Sequence, residues 1–468
     1  MAIAAFSFAA CCFLSCGNEN SGNASDGKTS ENKTSEGVAP ETPVYADASF
    51  VLSGFWQPHD VTEEGFSLYK GAGLNNLLMG YHDGEWTSEN RAYLGSALTR
   101  KNLELCRKVG LTATLNFEEW CKVACEGTGY GSTPFTTYDL YGNYENIITG
   151  VHMADEPNKK GIDRFAKDGL ISDFKKVYDV PYFINLFPDY ANTAQLGFSS
   201  YDDYLAYFDE QIMSRFEKNK MVSVDYYPFR ASGFQTGWLA CLKKIANLSK
   251  KNSARTHFYI QTAEKNEFKS GLTEEDIRLQ VYVSLCFGAT DLSYYCYSDP
   301  ISSSTGDYLY EYCILNPDGT PSPLYDCVKN VNAEISAFSS AILAYKWVKC
   351  MGYTDFSDGN GSVALGMLRE NVDFSDRKYV EGLQSDGDCL IGVFERPEDE
   401  GYMLINYGNP EETEAYDYFV TLKNGATHLA VYGGEGYKGI PEIVKADKNG
   451  KCKLNVKAGE WKFIVPLG

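Results

Sequence analysis

From residue 50 onward, short apolar runs alternate with amphipathic stretches. The runs cover 50–56, 76–81, 112–117, 148–153, 181–187, 221–227, 257–261 and 290–297. Most are apolar on both faces, as strands of a helix-covered parallel sheet must be. The stretches between them, among them 99–109, 161–177, 201–216, 237–250 and 273–287, carry apolar residues at helical spacing. Thr273 opens the last with Glu274, Glu275 and Asp276 in its first turn, where carboxylates suit the exposed amides of a helix start. Eight strand-then-helix units over roughly 300 residues predict an α/β fold, a (β/α)8 barrel. The segment 330–345 reads as its closing helix. A doubly wound open sheet would want a glycine-rich phosphate loop, and none follows any run. Beyond residue 349 the pattern changes to short alternating segments split by Gly, Asn and Asp: 362–368, 389–395, 402–407, 428–432, 453–456 and 457–465. Closely spaced, turn-bounded strands predict a C-terminal antiparallel β-sandwich.

The N-terminus has neither pattern. Residues 1–16 form an apolar run too short to span a bilayer as a mature helix, and they read as a signal-peptide core. Phe13-Leu14-Ser15-Cys16-Gly17 has the form of a bacterial lipoprotein cleavage box with Cys16 as the acylated residue, although no Lys or Arg precedes the run. Residues 17–46 are almost free of apolar side chains and read as a disordered tether. The expected organisation is therefore 1–16 signal, 17–46 linker, 47–348 barrel and 349–468 sandwich, in an exported, membrane-anchored lipoprotein at the cell surface or in the periplasm.

Composition narrows the partners. With 63 acidic and 42 basic residues the net charge is −21, which argues against a nucleic-acid backbone as ligand. Thirty-four tyrosines suit a neutral polar ligand better, because aromatic faces stack on sugar C–H surfaces while hydroxyls take hydrogen bonds. The 14 cysteines include no CxxC pair, and His59, His82 and His152 have no metal-ligand spacing, so neither a zinc site, a catalytic metal nor another cofactor is expected.

Active sites of such barrels lie at the C-terminal ends of the strands. There the apolar runs give way to Trp56, His82, Asn116, Asp155-Glu156-Pro157, Asn185, Asp225 with Tyr227, Gln261 with Glu264, and Tyr297. Carboxylates, amides and aromatics with almost no Lys or Arg describe a saccharide site. Glycoside hydrolysis needs two carboxyl groups, one to protonate the leaving oxygen and one to attack or to activate water. Trp56, with Trp86 and Trp120, offers a sugar platform, and Asn185 and Gln261 offer hydroxyl ligands.

The strand order, Asp155-Glu156-Pro157 after the fourth strand, and a Glu after the seventh resemble the clan of retaining (β/α)8 glycoside hydrolases that includes family 42. The resemblance covers residues 50–345, and the trailing Ala458-Gly-Glu-Trp-Lys-Phe-Ile-Val465 is similar to the small β-domain these enzymes often carry. It implies Glu156 as acid/base and Glu264 as nucleophile, with a carbohydrate substrate. Asp155 departs from the clan, which has Asn before the acid/base. Glu264 lies three residues beyond Gln261, so Asp225 competes with it as the second carboxylate. A glycan-capturing lipoprotein without turnover is the alternative reading; a lyase or esterase is weaker, since no GxSxG pattern is present.

Overall fold

The computed structural model describes residues 40–79, 97–116, 142–166, 179–300, 307–354, 363–368, 372–408, 415–434 and 437–468. Cys16, His82, Trp86 and Trp120 lie outside them. Six parallel strands come first: β1 (Val51–Gly54), β2 (Asn76–Leu78), β3 (Thr112–Asn116), β4 (Ile148–Asp155), β5 (Tyr182–Leu186) and β6 (Met221–Val224). A two-stranded ribbon, β7 (Phe229–Arg230) and β8 (Gly233–Phe234), precedes the last two, β9 (Arg255–Gln261) and β10 (Asp291–Tyr295). The eight sheet strands fall on the eight apolar runs and lie in the order β1-β10-β9-β6-β5-β4-β3-β2.

Asn75 helps to close this sheet, together with the Tyr69 hydroxyl, which accepts from Gly54 N at 2.6 Å and donates to Asn76 O at 2.7 Å. The Asn75 backbone N–H donates to Leu52 O at 3.0 Å. Its carboxamide then imitates a strand: Oδ1 accepts from Leu52 N at 2.9 Å and Nδ2 donates to Phe50 O at 2.8 Å. A polar side chain thus supplies rungs that the short β2 lacks, so β1 and β2 meet as neighbours and the barrel has no open edge.

The outer helices are α1 (Glu63–Gly71), α2 (Ala97–Val109), α3 (Lys159–Phe165), α4 (Thr193–Leu196), α5 (Tyr201–Gln211), α6 (Trp238–Asn252), α7 (Glu274–Cys286) and α8 (Pro323–Leu343). Thr62, Asn158, Ser200 and Thr273 cap their helices by accepting a backbone N–H, as short polar side chains do. The closing helix α8 begins at Pro323 rather than near 330. Ser322 caps it and proline occupies its first position, a start signal that apolar periodicity alone does not contain.

The C-terminal region packs a six-stranded sheet on a three-stranded one. The strands are β11 (Lys346–Tyr353), β12 (Val380–Ser385), β13 (Cys389–Glu395), β14 (Glu400–Asn406), β15 (Ala415–Leu422), β16 (His428–Tyr432), β17 (Glu442–Lys445), β18 (Lys451–Lys457) and β19 (Trp461–Leu467). The sheet orders are β11-β13-β14-β19-β16-β17 and β12-β15-β18, with all pairings antiparallel. One expected strand is absent: 362–368 forms the short helix α9 (Val363–Met367). Leu365 and Leu368, three apart, bury together with Ala364, and Lys243 of α6 donates to Leu368 O at 2.6 Å. That is helical spacing, and a strand would have split the two leucines between its faces.

Barrel and sandwich share a core. Trp461 is fully buried, with its ring 4.4 Å from Tyr282 of α7 and 4.2 Å from Phe338 of α8, centroid to centroid. Tyr282 in turn donates to Glu334 of α8 at 3.0 Å, and Glu334 is held by Arg278. Every residue of α7 from Asp276 to Cys286 is buried, because the sandwich covers the face that an outer barrel helix normally shows to water. Truncating Trp461 to alanine is therefore expected to cost about 3–5 kcal/mol. Urea denaturation of wild type and Trp461→Ala followed by circular dichroism measures this; a loss below about 1 kcal/mol would contradict a shared core.

Candidate active site

The site is assembled by the ends of β4, β5 and β6. A bulge between His152 and Ala154 shifts β4 against β5, so that Asp155 pairs with Asn185 at the strand ends. The Glu156 N–H still donates to Asn185 O at 2.9 Å, but its φ of 44° turns the chain into the left-handed region just before Pro157. A branchless residue would pass there freely; a glutamate pays roughly 1–2 kcal/mol. Strain of this kind is retained where a side chain must point in one direction. Here the direction is into a cleft of about 290 Å³.

Four carboxylates line that cleft: Asp155, Glu156, Asp225, which is placed directly after β6, and the exposed Glu267. Aromatic rings wall it, among them Phe55, Tyr190, Tyr227, Tyr295 and Phe268. In these surroundings burial pushes Glu156 far above the usual carboxylate range, to about 9, and the charges of Asp225 and Asp155 add to the rise. Burial also raises Asp225, to about 7, with Asp155 contributing, while hydrogen bonds from Asn185 and Tyr227 pull the other way. Each group's charge disfavours the other's, so both hold their protons more tightly than free carboxylates do.

Beneath the carboxylates runs a chain of hydrogen bonds with a defined direction. Asn185 Nδ2 donates one hydrogen to Asp155 Oδ1 at 3.0 Å and the other to Asp225 Oδ1 at 2.9 Å. Its Oδ1 accepts from Ser223 Oγ at 2.9 Å. Ser223 has then spent its only hydrogen, so His257 Nδ1, 2.9 Å away, must be the donor of that pair. The ring is neutral because burial, with repulsion from His152 and Arg255, pushes its pKa down to about 3. Its Nε2 is consequently an acceptor, from Ser293 Oγ at 2.7 Å, and Ser293 accepts from Ser53 at 2.6 Å. Every hydroxyl and N–H from Ser53 upward points toward the carboxylates. Strand register makes this possible: Asn185 lies beside Ser223, Ser223 beside His257, and Ser293 beside Ser53.

The residues anticipated from sequence divide into two groups. Asp155, Glu156, Asn185, Asp225 and Tyr227 converge on the cleft. Glu264 does not line it. It is buried, and its carboxylate accepts from Gly271 N at 2.6 Å and Leu272 N at 2.7 Å, fixing the loop that leads into α7. Gln261 is also structural: its side chain accepts from Phe229 N at 3.1 Å and donates to Phe229 O at 2.7 Å, clamping the β7 ribbon. Tyr297 packs edge-on against Tyr69 at 4.7 Å inside the fold. Trp56 stands edge-on to Phe55 behind the cleft wall, and Asn116 is buried at the end of β3; neither lines the cleft.

Tyr190, Arg230, Phe268, Tyr295 and Tyr310 line the site without having been anticipated. For Tyr295 a signal existed. Neighbouring strand residues face opposite ways, and Tyr294 points outward to Asn332 of α8 at 2.6 Å, which leaves Tyr295 facing the cleft. Arg230 lies on the two-residue strand β7 and the rest come from loops, and neither is long enough to carry a periodicity.

No family model and no curated relative matches the sequence. Solved structures do. A family 30 endoxylanase from Clostridium papyrosolvens is 13% identical over 92% of this chain and 98% of its own, with a TM-score of 0.42. A family 39 glycoside hydrolase from the gut symbiont Bacteroides cellulosilyticus is 12% identical over 90% and 81%, with a TM-score of 0.46. A monomeric β-xylosidase from Caulobacter crescentus is 12% identical over 92% and 97%, with a TM-score of 0.40.

The buried neutral histidine gives a prediction with a definite sign. An unfolded histidine takes a proton below about pH 6.5, and the folded one refuses it down to about 3. Over that window the unfolded state binds more protons, so His257 makes stability fall with falling pH. His257→Ala is expected to lose about 2–4 kcal/mol at pH 7 through the cavity and the orphaned Ser223. The gap to wild type should narrow steadily toward pH 4 in urea titrations; a constant gap would mean that the ring is protonated in the fold.

Proposed function

We propose that the protein is a glycoside hydrolase with Glu156 as general acid and Asp225 as its partner carboxylate. The reading rests chiefly on Glu156, which is held at a left-handed backbone position at the end of β4 and stays protonated at neutral pH inside an aromatic cleft. Glu156 gives its proton to the glycosidic oxygen as the bond to the anomeric carbon breaks. Asp225, the more acidic of the pair, supplies the negative charge on the other side, either attacking that carbon or taking a proton from the attacking water. Asp225 is preferred to Glu264 because both Glu264 oxygens are engaged with backbone amides outside the cleft. The anomer formed first, read by NMR, separates the retaining from the inverting course.

We also propose that the chain is exported and anchored through a lipid on Cys16, on the strength of the apolar run and the polar tether that follows it. Loss of fatty-acid labelling in Cys16→Ser would accompany this; labelling retained in the variant would exclude it.

Hydrolysis of a glycoside library tests the chemistry. Glu156→Gln and Asp225→Asn should each lower kcat by about 10²–10⁴-fold. Glu264→Gln should instead destabilise by about 1–3 kcal/mol, with turnover per folded molecule retained. Equal turnover by Glu156→Gln removes it from the mechanism, and glycan binding with no wild-type turnover on any member points to a capture protein. In the active enzyme Asp225 must be charged and Glu156 protonated. The maximum of kcat/KM is therefore expected between about 7 and about 9, and an optimum near pH 4 would contradict this assignment.

A further inference from the structure

Arg230 stands in the wall of the same cleft. Arg255, Arg278, Arg377 and Arg396 each hold an aspartate or glutamate. Arg230 holds none among the described residues, although the protein carries a net charge of −21 and four carboxylates, Glu267 among them, line the cleft. Its one side-chain hydrogen bond goes to the Tyr190 hydroxyl, from Nη2 at 2.8 Å. The planar guanidinium is packed among rings instead: 5.0 Å from Phe268, 5.3 Å from Tyr190 and 6.0 Å from Tyr227, to the ring centroids.

The position of the group is fixed from behind. Gln261 clamps Phe229 through both backbone atoms, Ala231 N donates to Glu267 O at 2.9 Å, and Lys269 N donates to Phe229 O at 3.0 Å. Arg230 itself bridges to Phe268. A guanidinium has five N–H donors in a fixed fork, and one of them is spent on Tyr190. A rigid cation with unspent donors, desolvated by aromatic faces and open to a cleft, is built to take two oxygens of an anion at once. A neutral sugar offers hydroxyls, which would leave the fork without a bidentate anionic partner.

Resting on the glycosidase reading, we propose that the substrate is an acidic glycan, and that Arg230 binds the oxyanion substituent of a sugar unit in the cleft, the carboxylate of a hexuronate or a sulfate ester. Such a substituent supplies the direct partner that the fork lacks and adds a second recognition point beside the carboxylates.

Binding is measured by calorimetry in a Glu156→Gln background, so that the outcome does not depend on turnover. The probes are tetrasaccharides of galacturonate and glucuronate, their neutral galactose and glucose counterparts, and 6-O-sulfated versions of the same neutral chains. One acidic series is expected to bind at least tenfold tighter than its neutral parent, and whether carboxylate or sulfate does so identifies the group. Adding Arg230→Gln should collapse that ratio at least tenfold, and Arg230→Lys, which keeps the charge but loses the fork, should recover only part of it. Neutral chains binding as tightly as acidic ones, or a ratio untouched by Arg230→Gln in folded protein, would overturn the proposal. Should wild type bind acidic chains through Arg230 yet hydrolyse none, the glycosidase reading fails and the recognition site stands.

Discussion

The carboxamide nitrogen of Asn185 has two hydrogens, and each is given to a different carboxylate, Asp155 and Asp225. Tyr227 also bonds Asp225, but the amide is the group that ties the two acids to each other against the repulsion of their charges. The amide can play this part only if its oxygen is satisfied from below, which Ser223 does. Ser223 can donate upward only because His257 supplies it with a hydrogen in return. The geometry of the acids thus depends on one tautomer of a buried ring several ångströms beneath them. Barrel interiors are ordinarily filled with branched hydrocarbon. This one carries polar layers instead, including a second network in which Asn76 joins Thr112, Thr114 and Thr149. Such networks hold their shape when every member is satisfied and are costly when one is not.

The site is kept at the expense of the fold. Glu156 occupies an unfavourable backbone conformation, and both it and Asp225 hold their protons more tightly folded than unfolded. As pH rises past the ordinary carboxylate range, the unfolded chain loses these protons first, so the pair erodes stability toward alkaline pH. His257 erodes it toward acid. Taken together these three groups favour folding most at about pH 4, so the range where one carboxyl is protonated and the other charged is one in which the site weakens the fold.

The barrel was legible because a parallel sheet buried on both faces writes itself as continuous apolar runs, and all eight strands lie on such runs. Strand ends were legible for the same reason: Asp155, Glu156, Asn185 and Asp225 stand where apolar runs stop. What could not be read was which polar residues after a strand turn inward. Glu264 and Gln261 follow β9 as Asp225 follows β6, yet their polar groups are consumed by backbone atoms of neighbouring loops. That difference lies in loop paths, which leave no periodic trace. Arg230 was hidden likewise, since a lone arginine on a two-residue ribbon strand looks like any solvated charge until its surroundings prove aromatic. The short helix α9 was misread because five residues are too few to tell a period of two from one of 3.6.

The clamp on Phe229 does not end at Gln261. The Gln261 backbone is itself gripped by Gln280 of α7, which accepts its N–H at 2.8 Å and donates to its carbonyl at 3.2 Å. Two residues further along, Tyr282 on the same helix stacks on Trp461 of the sandwich. A continuous set of contacts therefore runs from β19 through α7 to the ribbon that presents Arg230. The C-terminal sandwich is in this sense a buttress and not an appendage. It could not be cut away or exchanged between relatives as an interchangeable cassette without loosening the wall against which a ligand would rest.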